Sequence, residues 1–158
     1  MTILSIPRLL ILPAVALLAV PAFAEEPSNK TCPIMTGEET DVEEKVTYQD
    51  KDIYFCCGPC VKQFKQDPDY YVTLFQEMKS VPAVQDLKVP GKVELLEQRY
   101  CPFAPERLVG PSSPSAEYKG VKVYFSTNKH LKAWEADPDG SAKKAVADGH
   151  LPQLKGKV

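Results

Sequence analysis

The residues able to do chemistry in this chain are thiols. Cys56, Cys57 and Cys60 follow the short apolar run Ile53-Tyr54-Phe55, and Cys32 stands upstream beside Met35. Four thiols make up the ligand set of a tetrahedral Zn²⁺ site with metal–sulfur bonds of about 2.3 Å. A soft ion such as Cu(I) accepts fewer thiolates, and the Met35 thioether adds a polarizable sulfur nearby. The stretch Cys57-Gly58-Pro59-Cys60 is also a Cys-x-x-Cys at a predicted helix start. There the helix dipole and free amides favour a thiolate, Cys60 above all. Thiol–disulfide chemistry is therefore a rival reading, although the βαβ context of a thioredoxin-like motif is missing. A third reading is structural: a closed zinc, or two disulfides, stapling a small core. Metal binding is the preferred reading, with Cys32, Cys56, Cys57 and Cys60 as ligands and zinc or copper as the ion. The cysteine count, 5, is odd, so at least one thiol is left over or metal-bound. Adjacent Cys56 and Cys57 pair poorly with each other, because a bridge across a single peptide bond is strained.

The elements that must position these thiols can be read on either side of them. Val46-Thr47-Tyr48 and Ile53-Tyr54-Phe55 predict a hairpin, with Gln49-Asp50-Lys51-Asp52 as its polar turn. Gly58 suits an N-cap and Pro59 the first helical position, which places Cys60 in the first turn. Val61 and Phe64 form the buried face, and Asp67-Pro68 ends the helix. Tyr71, Leu74, Phe75 and Met78 then recur at helical spacing.

The same arrangement recurs. Residues 48–69 match residues 118–139 at one constant shift of 70 (118 − 48), which lays Tyr54-Phe55 on Tyr124-Phe125 and Asp67-Pro68-Asp69 on Asp137-Pro138-Asp139. Cys32-Pro33 matches Cys101-Pro102 one residue out of step, which implies an internal duplication. The second hairpin is predicted to turn at Lys119-Gly120. Asn128 is its expected helix N-cap, and Leu131 and Trp134 face inward. Asp137-Pro138-Asp139-Gly140 reads as a turn, with Ser141 capping a last helix and Leu151 to Leu154 packing back. Ser126, Thr127 and His130 replace the three downstream thiols. Cys101 and His130 keep two potential ligands, too few for a firm site, so this copy is expected to serve the fold only.

The expected class is α+β, as two small hairpin-plus-helices units in tandem. Residues 1–24 read as a signal peptide, 25–79 as the metal-binding unit, 80–99 as a linker and 100–158 as the degenerate unit. In the linker, residues 92–99 have a pattern that does not decide between strand and helix. Residues 25–31 are expected to be polar and flexible.

The targeting reading rests on Arg8, an apolar run from Leu9 to Val20, and the small-x-small site Ala22-Phe23-Ala24. The run is too short to span a bilayer, which needs about 20 residues. The expected location is periplasmic or secreted, with no membrane span after cleavage. With 19 Lys and Arg against 21 Asp and Glu and no basic stripe, nothing favours nucleic acid. There is no paired-carboxylate site or Ser/His/Asp set, and the two histidines, His130 and His150, are too few for a nucleophile–base arrangement. The chain therefore reads as non-catalytic. Its expected partners are a metal ion and a membrane metal transporter or another exported protein.

Cys32-Pro33-Ile34-Met35, Tyr54-Phe55-Cys56-Cys57-Gly58-Pro59-Cys60, Phe64 and Asp67-Pro68 resemble the YHS domain and the related TRASH-type metal-binding modules. Cys32, Cys56 and Cys60 match that pattern directly, and Cys57 stands where many members carry Ser. Many members carry their early Cys where Met35 stands here. The resemblance covers residues 31–72 well and residues 100–140 in shape only. It implies small treble-clef-like units and heavy-metal sensing, trafficking or resistance, often of copper or zinc.

Overall fold

A computed structural model describes residues 26–158; the predicted signal peptide lies outside the described residues. The first hairpin joins β1 (Asp41–Tyr48) to β2 (Lys51–Phe55). Its turn is tighter than the sequence suggests. Only Gln49 and Asp50 connect the strands, both left-handed at φ 44° and 62°. Two-residue turns of this hand match the twist of paired strands. Lys51 and Asp52 thus join the ladder, and the Asp52 carboxylate accepts from Thr47 at 2.6 Å and pairs with Lys45.

Helices α1 (Gly58–Gln66) and α2 (Pro68–Met78) meet at Asp67. The proline breaks the run there and starts the next helix where its missing N–H costs nothing. Phe64 is the centre of the first core, with ring centroids 5.4 Å from Phe55, 6.3 Å from Tyr71 and 6.1 Å from Phe75. Residues 80–99 are more than a connector. Val81 and Val84 are fully buried in this core, and the Gln76 amide holds the segment by donating to the carbonyls of Val84 and Leu87. Residues 92–99 form neither helix nor strand.

A third hairpin, β3 (Tyr100–Cys101) with β4 (Ala104–Leu108), is absent from the sequence reading. It joins the two halves. Met35 bridges to Arg107, Thr36 N–H donates to Glu106 O at 2.7 Å, and Leu108 N–H donates to Ile34 O at 2.9 Å. Leu108 is buried in the first core, whereas its neighbour Val109 is buried in the second.

The second half repeats the order of the first. β5 (Ser115–Tyr118) and β6 (Val121–Tyr124) turn at Lys119-Gly120, again with both residues at positive φ. Helices α3 (Asn128–Ala136) and α4 (Pro138–Ala147) follow. Two expected caps move. Thr127, not Asn128, caps α3, and Asp137, not Ser141, caps α4 by accepting from Gly140 N–H at 3.0 Å. An Asp before Pro is a better helix start than a Ser four residues later, because its carboxylate reaches the free amides of the first turn. Phe125 and Trp134 lie 5.4 Å apart, as Phe55 and Phe64 do, and Leu151 and Leu154 pack back into this core. Among the described residues the fold is α+β, with three two-stranded antiparallel hairpins and four α-helices.

Candidate metal centre

Three separate pieces of chain bring the thiols together. Cys32 sits in a loop closed by its own N–H to Glu38 O at 2.8 Å and by the Thr31–Glu39 bridge. Its sulfur accepts from Met35 N–H at 3.4 Å, so the loop turns the thiol inward. Cys56 directly follows β2. Cys57, rather than Gly58, is the N-cap of α1, with extended backbone (φ −167°, ψ 157°). Its carbonyl accepts from the N–H groups of Cys60 and Val61, which locks Cys60 in the first turn, fully buried.

The stretch before Cys32 is held as well, contrary to the expected flexibility. Asn29 is 4% exposed. Its side-chain amide donates to Tyr54 O at 2.9 Å and accepts from Tyr54 N–H at 3.1 Å, as a neighbouring strand would. A third bond, to Thr31 O, fixes the approach to Cys32. Gln98 repeats this before Cys101: it accepts from Tyr124 N–H and donates to the carbonyls of Tyr124 and Tyr100. The sequence reading missed both amides. The available signal was a carboxamide three residues before each early cysteine.

The sulfur atoms of Cys32, Cys56 and Cys60 all lie within 4.8 Å of one another, and Cys56 and Cys60 are 3.7 Å apart. Two thiolates sharing one ion through bonds of about 2.3 Å are about 3.8 Å apart in a tetrahedron and about 4.0 Å in a trigonal plane. The spacing suits either. The Met35 thioether is 3.9 Å from the Cys56 sulfur. Cys57 lies outside this mutually close set, although its sulfur is 3.2 Å from Cys60 and 3.6 Å from Cys56. Of the four expected ligands, three thus share one pocket and the fourth stands at its rim.

Protonation follows the geometry. The Cys60 thiol donates to Cys32, and with backbone N–H donors from the Cys32 loop it outweighs burial, bringing Cys32 down to about 5. That same bond, and then burial, pushes Cys60 up. Burial, followed by the hydrogen bond to Cys32 and then its charge, pushes Cys56 up to about 12. Without a cation these bonds favour the thiolate on Cys32 and the protonated thiol on Cys60, the reverse of the helix-start expectation. A metal ion bound here would displace the thiol protons. The three cysteines form a group that can hold a metal ion.

The second half places Cys101, Ser126 and His130 in the corresponding arrangement. The Cys101 sulfur is 3.4 Å from His130 Nδ1, and Ser126 Oγ is 3.0 Å from the same nitrogen. Thr127 Oγ1 accepts from His130 N–H and so caps the helix. Burial, with Lys129 adding to it, keeps the imidazole below its usual pKa. Among the described residues no helix is long and apolar enough to cross a membrane. Comparison with protein-family models, curated proteins and solved structures found no match.

Proposed function

We propose that this chain is an exported heavy-metal-binding protein that handles copper or zinc at Cys32, Cys56 and Cys60. The observation that carries this is the convergence of three thiols from separate segments into one pocket. Copper(I) would use the three sulfurs alone or with Met35, and zinc would recruit Cys57 as its fourth ligand. On this reading the protein is non-catalytic. It works in the periplasm or outside the cell and exchanges its ion with a membrane transporter or another exported protein.

The likeness to YHS and TRASH-type modules, with their treble-clef-like units, belongs to the same proposal. So does the duplication, which is supported by details beyond sequence matching. Asn29 and Gln98 hold equivalent strands, and Tyr48–Asp69 and Tyr118–Asp139 are equivalent hydrogen-bonded pairs.

The test is thermal melting of wild type and Cys60→Ser, each with chelator and with reductant. A metal bound only by the folded state adds to its stability. Chelator should therefore lower the wild-type melting temperature and lower that of Cys60→Ser by much less. The short Cys57–Cys60 distance favours one alternative, a thiol–disulfide couple at the helix start. That alternative predicts a large response to reductant and none to chelator, and such a result would replace the metal reading.

A further inference from the structure

We propose that the second half carries a separate site for a monovalent soft cation, Cu(I) or Ag(I), held by Cys101 Sγ and His130 Nδ1. The sequence reading discounts this pair because two ligands are too few, but that objection applies to zinc, which takes four. A monovalent d¹⁰ ion is satisfied by two or three. Ser126 and His130 stand 70 residues after Cys56 and Cys60, and Cys101 stands 69 after Cys32. The fold thus assembles the same three positions twice, with a different donor set the second time.

Charge then chooses the ion. At 3.4 Å the sulfur and Nδ1 are in hydrogen-bond contact, and a two-coordinate monovalent ion, which favours a linear arrangement with its donors about 4.3 Å apart, would part them by about 1 Å as it replaces the shared proton. Cys101 is fully buried. One thiolate and one neutral imidazole offset one positive charge, whereas a divalent ion would leave a net charge beside the core, which is costly. Binding replaces the thiol S–H bond with a sulfur–metal bond and releases the proton to solvent; no electrons are exchanged. The Ser126 contact to Nδ1 is released as the ion takes the nitrogen lone pair. The Phe103 ring, 5.9 Å from the imidazole, shields one side. The proposal does not depend on metal occupying the first centre.

The experiment uses the reduced full chain, with ¹⁵N-labelled histidine, titrated anaerobically with Ag(I). The His130 Nδ1 resonance is expected to shift and to show splitting by silver, while His150 stays unmoved as the internal control. His130→Gln keeps a polar side chain at a partly exposed position. It should lower the silver bound against a competing chelator by about one ion per chain. An unmoved His130 resonance at saturation, or equal stoichiometry in His130→Gln and wild type, overturns the second site. Loss of the first centre would be read separately, as weakened but not abolished sulfur-to-silver absorption in Cys60→Ser with the His130 shift intact.

Discussion

Burying Cys32, Cys56 and Cys60 side by side sets their protonation states against one another. Cys32 falls from 9.0 to about 5, so in the metal-free chain its contribution to stability is full above pH 9 and is lost as pH falls towards 5. Cys56 rises from 9.0 to about 12, so its contribution is present below pH 9 and is lost as pH climbs towards 12. Cys60 acts in the same direction as Cys56. Metal-free stability carried by these thiols should therefore peak near pH 9. In Cys32→Ser, the rise in urea midpoint between pH 5 and pH 9 should flatten, and the thiolate ultraviolet absorbance that titrates near pH 5 should vanish. Persistence of that absorbance would place the charge on another thiol.

Equivalent helices are started by different means, and the difference bears on chemistry. Thr127 caps α3 with its hydroxyl, whereas Cys57 occupies the same position of α1 and makes no side-chain cap bond. Thr127→Ala should therefore cost about 1 kcal/mol of stability, the usual loss for a removed cap. Cys57→Ala should cost far less when metal-free. Urea denaturation of both variants checks the contrast. Equal losses would mean that the Cys57 sulfur acts as a cap after all. A sulfur not used in capping remains available to join the neighbouring thiols, which is how Cys57 can stand at the rim of the pocket and still serve as a fourth ligand.

At the scale of the molecule, the two cores are joined through β4 and the loop after it. Gln63, buried in α1, donates to both Tyr71 Oη and Leu108 O, and Ser112 bonds the Asp67 carboxylate from across the junction. Gly110 sits where this junction is tightest. A Cβ there would lie 2.5 Å from Tyr71 Oη and 2.9 Å from its ring carbon, and Tyr71 is only 1% exposed. Gly110→Ala should therefore destabilise by about 1–3 kcal/mol, the usual range for overpacking. Its effect should reach Cys32 through the Ile34–Leu108 ladder and weaken metal binding. Parallel measurement of urea midpoint and metal affinity checks both. Lost stability with unchanged affinity would show that the halves are packed together but not coupled.

What the residues determine alone is local. Alternation marks the hairpins, helical spacing marks α1 and α2, and proline after Asp67 and Asp137 divides each helix pair. These signals depend on neighbours within a few residues. The thiol cluster was legible in part for the same reason: Cys56, Cys57 and Cys60 are bound to be near one another by the strand-to-helix turn. Tertiary structure alone decided the rest. Cys32 was expected as a ligand, but what holds it in the group, the Asn29 clamp of its approach to β2, is a bond spanning 25 residues. The thiolate sits on Cys32 rather than Cys60 because the Cys32 loop and Cys60 itself supply donors that no spacing reveals. The third hairpin has strands too short to show a period, and Met35 and Arg107 pair only after the halves meet. Long-range contacts of this kind are chosen by what remains unsatisfied after local structure has formed, and that remainder is a property of the assembled fold.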